Sequence, residues 1–256
     1  MNSFSTTISD ILVMTKRNLL RYQRLPRLIV FSFIQPVMFV LLFTYVFGGA
    51  IQSSSSAYIK FLLPGILVQT VIFGAMQTGV GLADDAAQGM IERFRSLPMA
   101  RSAVLAGRTI AESIRNLFVI IIMVIVGYIV GFRIEHGWLN FIYGILLTIL
   151  FGFAFSWISA AIGLAVKDVE TAQSAGFVWV FPLAFASSIF VPVSTLSGVV
   201  KSFATHNPIS YVVNVVRALS LGTPVGNNIW YALIWMAGIL LLAVPWAVNN
   251  YRKISA

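Results

Sequence analysis

The chain contains no cysteine. Disulfides, thiolate metal sites and cysteine nucleophiles are thereby excluded. Histidine is nearly missing as well: His136 and His206 are the two present. His206 stands beside Asn207-Pro208 with no acidic residue near it in sequence, so a membrane-embedded hydrolase has little to work with. The phosphate-cradling pattern G-x-x-x-x-G-K-[ST] occurs nowhere, which removes the usual way of binding ATP. The largest deficit is charge. Asp, Glu, Lys and Arg make up 10% of the 256 residues, whereas a soluble domain uses roughly 25% to cover its surface. Hydrophobic residues make up 59%, so the outer surface has to face lipid.

What is present are long uncharged runs: 28–59, 61–83, 116–132, 137–166, 171–200 and 218–251. A helix needs about 20 apolar residues to cross a hydrocarbon core of about 30 Å. The fold class expected is an all-α membrane protein with six transmembrane helices. The spans are placed at 28–48, 60–82, 109–131, 139–165, 172–190 and 228–249, within a single transmembrane domain covering 1–256. Residues 1–10 are polar and the first apolar run starts near Leu28, so the N-terminus does not read as a signal peptide. No internal repeat is visible, which speaks against secondary carriers built from repeats.

Three further segments stand out. Residues 4–25 place Phe4, Ile8, Ile11, Leu12, Thr15, Leu19 and Tyr22 at helical spacing, with Arg17, Arg21 and Arg24 on another face. An apolar stripe with a basic face suits a helix lying in an anionic headgroup layer. Residues 84–100 form a charged segment in which Asp84 and Asp85 suit a helix N-terminus. There Met90, Phe94 and Leu97 share a face, ringed by Glu92, Arg93 and Arg95, and Pro98 is followed by Met99. That pattern fits a short docking helix, or a solvated loop touching the bilayer. Residues 193–220 are too broken by Gly and Pro for one span and too apolar for a loop. Short re-entrant helices on the outer side, before the last span, would satisfy both facts.

The net charge of +9 raises nucleic acid as a partner, but the charges cluster at helix ends, so no nucleic acid is expected. With the N-terminus cytoplasmic, twelve Lys and Arg fall on that side and four on the other. The bias places both termini in the cytoplasm, in a multi-pass cell-membrane protein. Glu112 and Arg115 lie inside the third span, three residues apart, and can pair. They sit near enough to its end to snorkel, or alternatively serve a proton relay. In span five, Phe177, Phe181, Phe185 and Ser188, with Trp179 and Ser187 nearby, would suit an apolar or amphipathic substrate, or simple packing.

Several of these residues carry a family resemblance. Glu92, Leu97 and Pro98 are similar to the conserved block before the third span of type-2 ABC exporter permeases. Phe190, Pro192 and Leu196 resemble that family's F-x-P-x-x-x-L block, and Asn207, Pro208, Tyr211 and Arg217 its following N-P-x-x-Y-x-x-x-x-x-R block. The chain most resembles the drug-resistance branch typified by daunorubicin exporters, although the run Ala86-Ala87-Gln88 is less charged than in many members. The resemblance implies a non-enzymatic transmembrane subunit of an ATP-driven exporter. It implies two permease chains, identical or paralogous, with two cytoplasmic ATPase subunits docked at the 84–100 helix and the N-terminal helix. It also implies a path lined by spans 1, 2 and 5. ATP and its magnesium would be held by the ATPase, with no cofactor and no metal in this chain. The competing classes are an ion-coupled carrier, for which Glu112 is the sole intramembrane carboxylate, and a membrane-embedded enzyme.

Overall fold

The computed structural model describes residues 3–48, 55–95 and 101–253, and among them the chain is built of helices joined by short connections. Helix α1 is Ser3–Arg24 and α2 is Pro26–Leu42, continued by a π-helical turn at Phe43–Phe47. Then follow α3 (Ser55–Ala87), the one-turn α4 (Met90–Arg95), α5 (Arg101–Val130) and α6 (Trp138–Val166). The chain closes with α7 (Val169–Phe185), α8 (Gly198–His206), α9 (Pro208–Leu221) and α10 (Asn228–Lys253). Local chemistry sets several of these ends. Pro26 opens α2, where its missing N–H costs nothing. Asp168 caps α7 by accepting from the Thr171 amide at 2.7 Å. The Thr171 hydroxyl and amide together hold the Asp168 carboxyl below the usual range.

Five helices are long and apolar enough to cross a membrane: α2 with its π turn, α3, α5, α6 and α10. The predicted fifth span, 172–190, corresponds to α7, which has 17 residues. Helix α3 is the hub of the bundle. The other elements pack around it and around α6, and 83% of its most apolar window is buried, against 11% for α2. Helix α3 therefore meets protein along most of its length, while α2 presents Phe31, Met38 and Tyr45 outward.

Close approach of α3 and α6 depends on glycine. A side chain at Gly79 would strike the Ser159 carbonyl, and one at Gly163 would strike the backbone of Gly79. Two buried clusters mark the two ends. One gathers Met14, Leu82, Phe94, Leu105, Trp157 and Tyr251 at the end that holds α1, α4 and the C-terminal turn of α10. The larger cluster fills the rest, with Tyr58, Phe132, Phe141, Phe190 and Val213 toward the opposite end.

Several boundaries differ from the sequence-based expectation. Helix α5 begins at Arg101 rather than near 109, because backbone hydrogen bonding carries it into the polar zone that a hydropathy reading trims away. Asp84 and Asp85 do not start a helix. They lie in the last turn of α3, which runs on to Ala87, and they are useful there for their partners rather than as caps.

Candidate functional site

Helix α1 lies along the first turns of α5. The approach is tight enough that a Cβ at Gly107 would sit 2.6 Å from Met14 Cβ and 2.9 Å from the Ile11 carbonyl. The buried face is Met14, Thr15 and Asn18, whereas Ile8 and Leu12 of the predicted stripe are exposed. The two polar members tolerate burial because each bonds its own helix. The Thr15 hydroxyl donates to the Ile11 carbonyl at 2.8 Å and Asn18 Nδ2 donates to the Met14 carbonyl at 2.9 Å.

The basic face of α1 is spent on two neighbours. Arg17 lies over the Phe94 ring, 4.5 Å from its centroid. Burial pulls the Arg17 guanidinium below its ordinary range, with Asp85 opposing that shift. Arg21 reaches Asp84 at 3.1 Å and Asp85 at 3.7 Å, and Arg108 of α5 pairs with Asp85 from the other side. Arg24 is exposed. A side chain at Gly81 would overlap the Arg108 guanidinium, so that glycine makes room for the pair. On α4, Ile91 and Phe94 are buried and Glu92 and Arg93 exposed. What α4 offers outward is charge, while the predicted Phe knob is covered by the chain's own α1. Of the remaining docking candidates, Leu97, Pro98 and Met99 lie outside the described residues, as does the side chain of Arg95.

Deeper along α5, Glu112 and Arg115 form the expected pair. Neither side chain reaches outward, so protein groups rather than snorkelling meet the two charges. Both side chains are buried, at 2% and 8% exposure. The pair is closed by neighbours: Tyr22 Oη donates to Glu112 Oε2 at 2.6 Å, and Arg115 Nη2 donates to Asn116 Oδ1 at 3.1 Å. Burial, and next the Glu112 charge, push the Tyr22 phenol well above its ordinary range. Gly74 of α3 faces this group, and a Cβ there would collide with the side chains of Arg115 and Asn116.

Between α1, α2, α3, α5 and the start of α7 lies a cavity of about 540 Å³. It follows α3 from Gln69 to Asp84, a rise of about 22 Å. One end is polar, with Arg21, Asp84 and Arg108. The Glu112–Arg115 pair and the amides of Gln35, Gln69 and Gln77 lie further in, among Phe31, Phe39, Phe73 and Phe177.

From Phe177 a ladder of phenyl rings climbs α7. Phe177 meets Phe181 at 5.3 Å between centroids, Phe181 stacks on Phe185 at 5.4 Å, and Phe185 stacks on Phe190 at 5.1 Å. Phe181 and Phe185 are 39% and 45% exposed, so the ladder forms a surface rather than a core. Phe73 of α3 packs edge-on against Phe181 at 5.5 Å. Ser188 does not belong to this surface. It is buried, donates its amide to Ser210 Oγ at 3.0 Å, and donates its hydroxyl to Asn214 Oδ1 at 3.0 Å.

The outer motif forms a structural knot. Asn207 Oδ1 accepts from the Ile209 amide at 2.9 Å, while its Nδ2 donates to the carbonyls of Leu183 at 2.7 Å and Ala186 at 2.8 Å. It thus caps α9, whose first residue is Pro208, and closes the frayed end of α7 at once. Arg217 stacks over Phe61 at 3.6 Å and donates to the carbonyls of Phe61 at 3.1 Å and Ser188 at 2.9 Å. The Phe190 carbonyl accepts from Tyr58 Oη at 2.8 Å. Tyr211 packs on Tyr231 at 5.1 Å, while Pro192 leads into the 3-10 turn Val193–Thr195 that ends at Leu196. Irregular backbone among apolar helices needs this many internal donors. Sequence reasoning missed the α1 ties through Asp84 and Asp85, and the cavity itself. The glycines at 74 and 81 were the available signal, because each faces a charged side chain.

Comparison with known proteins identifies the family. Residues 9–221 match the ABC-2 type transporter family. A daunorubicin resistance ABC transporter permease protein from Streptomyces coeruleorubidus is 32% identical over 252 residues, covering 98% of this chain and 89% of the relative. A probable doxorubicin resistance ABC transporter permease protein from Mycobacterium tuberculosis is 25% identical, covering 99% and 92%. A putative transport permease from Cyanophora paradoxa is 22% identical, covering 83% and 74%. With a family match over most of its length and a relative of this similarity aligned nearly end to end, the chain belongs to the ABC-2 type transporter family.

Proposed function

We propose that this chain is the transmembrane permease subunit of an exporter that moves hydrophobic or amphipathic molecules out of the cell, driven by a separate ATPase. The observation that carries this is the continuity of the cavity with the phenyl ladder of α7. A polar-mouthed cavity reaching about 22 Å along α3 leads through Phe177 onto Phe181 and Phe185, which the fold leaves uncovered. Such a route suits molecules with apolar bodies and a few polar groups. The relatives named for daunorubicin and doxorubicin resistance agree with that substrate class.

In this reading two permease chains, two copies or a paralogous pair, come together, and the path is lined by α2, α3 and α7. Two ATPase subunits dock at the end that carries α1 and α4. That end faces the cytoplasm, since it bears most of the Lys and Arg. Helix α7 serves as a sixth span, its 17 helical residues extended by the chain up to Phe190. Helices α8 and α9 turn back on the outer side, and Arg217 and Asn207 satisfy the backbone where the chain reverses. Ion coupling has little support, because both oxygens of Glu112 are already engaged, one by Arg115 and one by Tyr22.

The test is to purify the tagged chain in mild detergent from its native host. A stoichiometric ATP-binding subunit, with hydrolysis stimulated in the complex, is the expected result. A chain that comes out alone even after cross-linking overturns the proposal.

A further inference from the structure

We infer that Phe43 stacked on Phe190 closes the path at its outer end, and that rewinding the π turn of α2 releases that stack. The inference rests on the exporter reading and concerns how the same path is shut at rest. Its first support is position. The cavity's outermost residues are Phe39 on α2 and Gln69 on α3. Directly beyond, Phe39 meets Phe43 and Phe190 edge-on, at 6.0 and 6.1 Å between centroids. Phe43 stacks on Phe190 at 4.7 Å, and Phe185 of α7 stacks on Phe190 at 5.1 Å.

The second support is that one side of this closure is fixed and the other is not. Tyr58 Oη donates to the Phe190 carbonyl at 2.8 Å, and the Ser188 amide donates to Ser210 Oγ at 3.0 Å. Gly65 of α3 lies so near that a Cβ there would sit 2.6 Å from the Ile189 carbonyl. Phe190 is therefore pinned through its own backbone and its neighbours'. Phe43 belongs to α2, the least buried of the five long helices, and it opens the π turn Phe43–Phe47. Turns of this kind often mark functional positions.

The third support is Thr44, inside that turn. Its side chain is 2% exposed, yet Oγ1 has no hydrogen-bond partner. Thr15, Thr70, Thr148 and Thr205 each donate to the carbonyl four residues back. Thr44 would do the same to Val40 in an α turn, so the π turn holds a buried hydroxyl unbonded at a cost. Rewinding to α turns the two flanks by about 100° relative to each other. Phe43 and Phe47, whose rings touch at 5.3 Å, then cannot both keep their places, and the stack on Phe190 comes apart.

The test uses the full chain in right-side-out membrane vesicles and exploits the absence of cysteine. Gln69→Cys sets one thiol just inside the rings, and a membrane-impermeant maleimide is added outside. Labelling at rest should be slow. Phe43→Ala and Phe190→Ala should each speed it by about tenfold, the worth of a good ring pair. Phe177→Ala, lower on the ladder, should not. Thr44→Val should slow labelling by about tenfold, because the rewound form loses its new hydrogen bond. General loosening would speed labelling at both Phe43 and Thr44, so opposite signs identify a gate. If Phe190→Ala does not insert, Phe43→Ala on the less buried helix carries the comparison. Fast labelling in the Gln69→Cys parent, indifference to Phe43→Ala, or unslowed labelling in Thr44→Val overturns the inference. Such a result in a chain that co-purifies with an active ATPase leaves the permease reading standing. Labelling that obeys the rings in a chain with no ATPase partner does the reverse.

Discussion

Tyr22 donates its phenolic proton to Glu112 across 2.6 Å, which bonds the surface helix α1 to a buried carboxylate of α5. The same α1 holds Phe94 of α4 under Arg17 and the end of α3 through Arg21. In the proposed complex, displacement of α4 by a docked ATPase would reach the cavity through α1. Tyr22→Phe keeps the ring and removes that link. The variant should lose about 1–3 kcal/mol of stability, because Glu112 is left with an unsatisfied oxygen. In the reconstituted complex, transport should fall while ATP hydrolysis continues. Equal loss of both activities would reduce Tyr22 to a packing role.

The Glu112–Arg115 pair makes a separate prediction through double substitution. Arg115→Met alone strands a buried carboxylate and Glu112→Gln alone strands a buried guanidinium, each costing about 3–5 kcal/mol. The double variant removes both charges and should recover most of that loss in a thermal melt. A proton relay would behave otherwise. Glu112→Gln with Arg115→Met would restore stability but not activity, and the wild-type activity would follow a carboxylate titration.

If α4 docks the ATPase, docking separates from folding there. Phe94 is buried and Arg93 exposed, so the two positions should give different failures. Phe94→Asp places a charge beneath Arg17 and inside an apolar cluster, and the isolated permease should lose thermal stability. Arg93→Glu should cost the permease much less thermal stability than Phe94→Asp and weaken co-purification of the ATPase. Pull-down unaffected by Arg93→Glu and by Glu92→Lys together would move the docking surface elsewhere.

How much of this was legible beforehand varies with how local each cause is. Uncharged runs gave the apolar helices, and three-residue spacing gave the Glu112–Arg115 pair. Asp84 and Asp85 were misread because an acidic pair before a polar stretch looks like a helix start. Their true partners, Arg21 and Arg108, come from α1 and α5. The cavity was invisible for the same reason, since it needs residues from five helices that no local pattern links. Phe177 was found by its aromatic spacing. Ser188 was misplaced, because the turn after Ala186 carries it away from the ladder face into the bonds of Ser210 and Asn214.

Asn207 offers the sharpest test of the outer knot. If it acted only as an N-cap for α9, Asn207→Asp would be harmless, since Asp caps as well as Asn. Here Nδ2 also serves the carbonyls of Leu183 and Ala186, and a carboxylate cannot donate to them. It would instead set a negative charge against two part-buried acceptors. Asn207→Asp should therefore be at least as damaging as Asn207→Ala, which loses the cap and leaves the same carbonyls unmet, at about 1–3 kcal/mol for each. Thermal melts of the two variants in one detergent decide the order. Recovery of wild-type stability by Asp would confine the residue to capping, and the joint between α7 and α9 would then need another source.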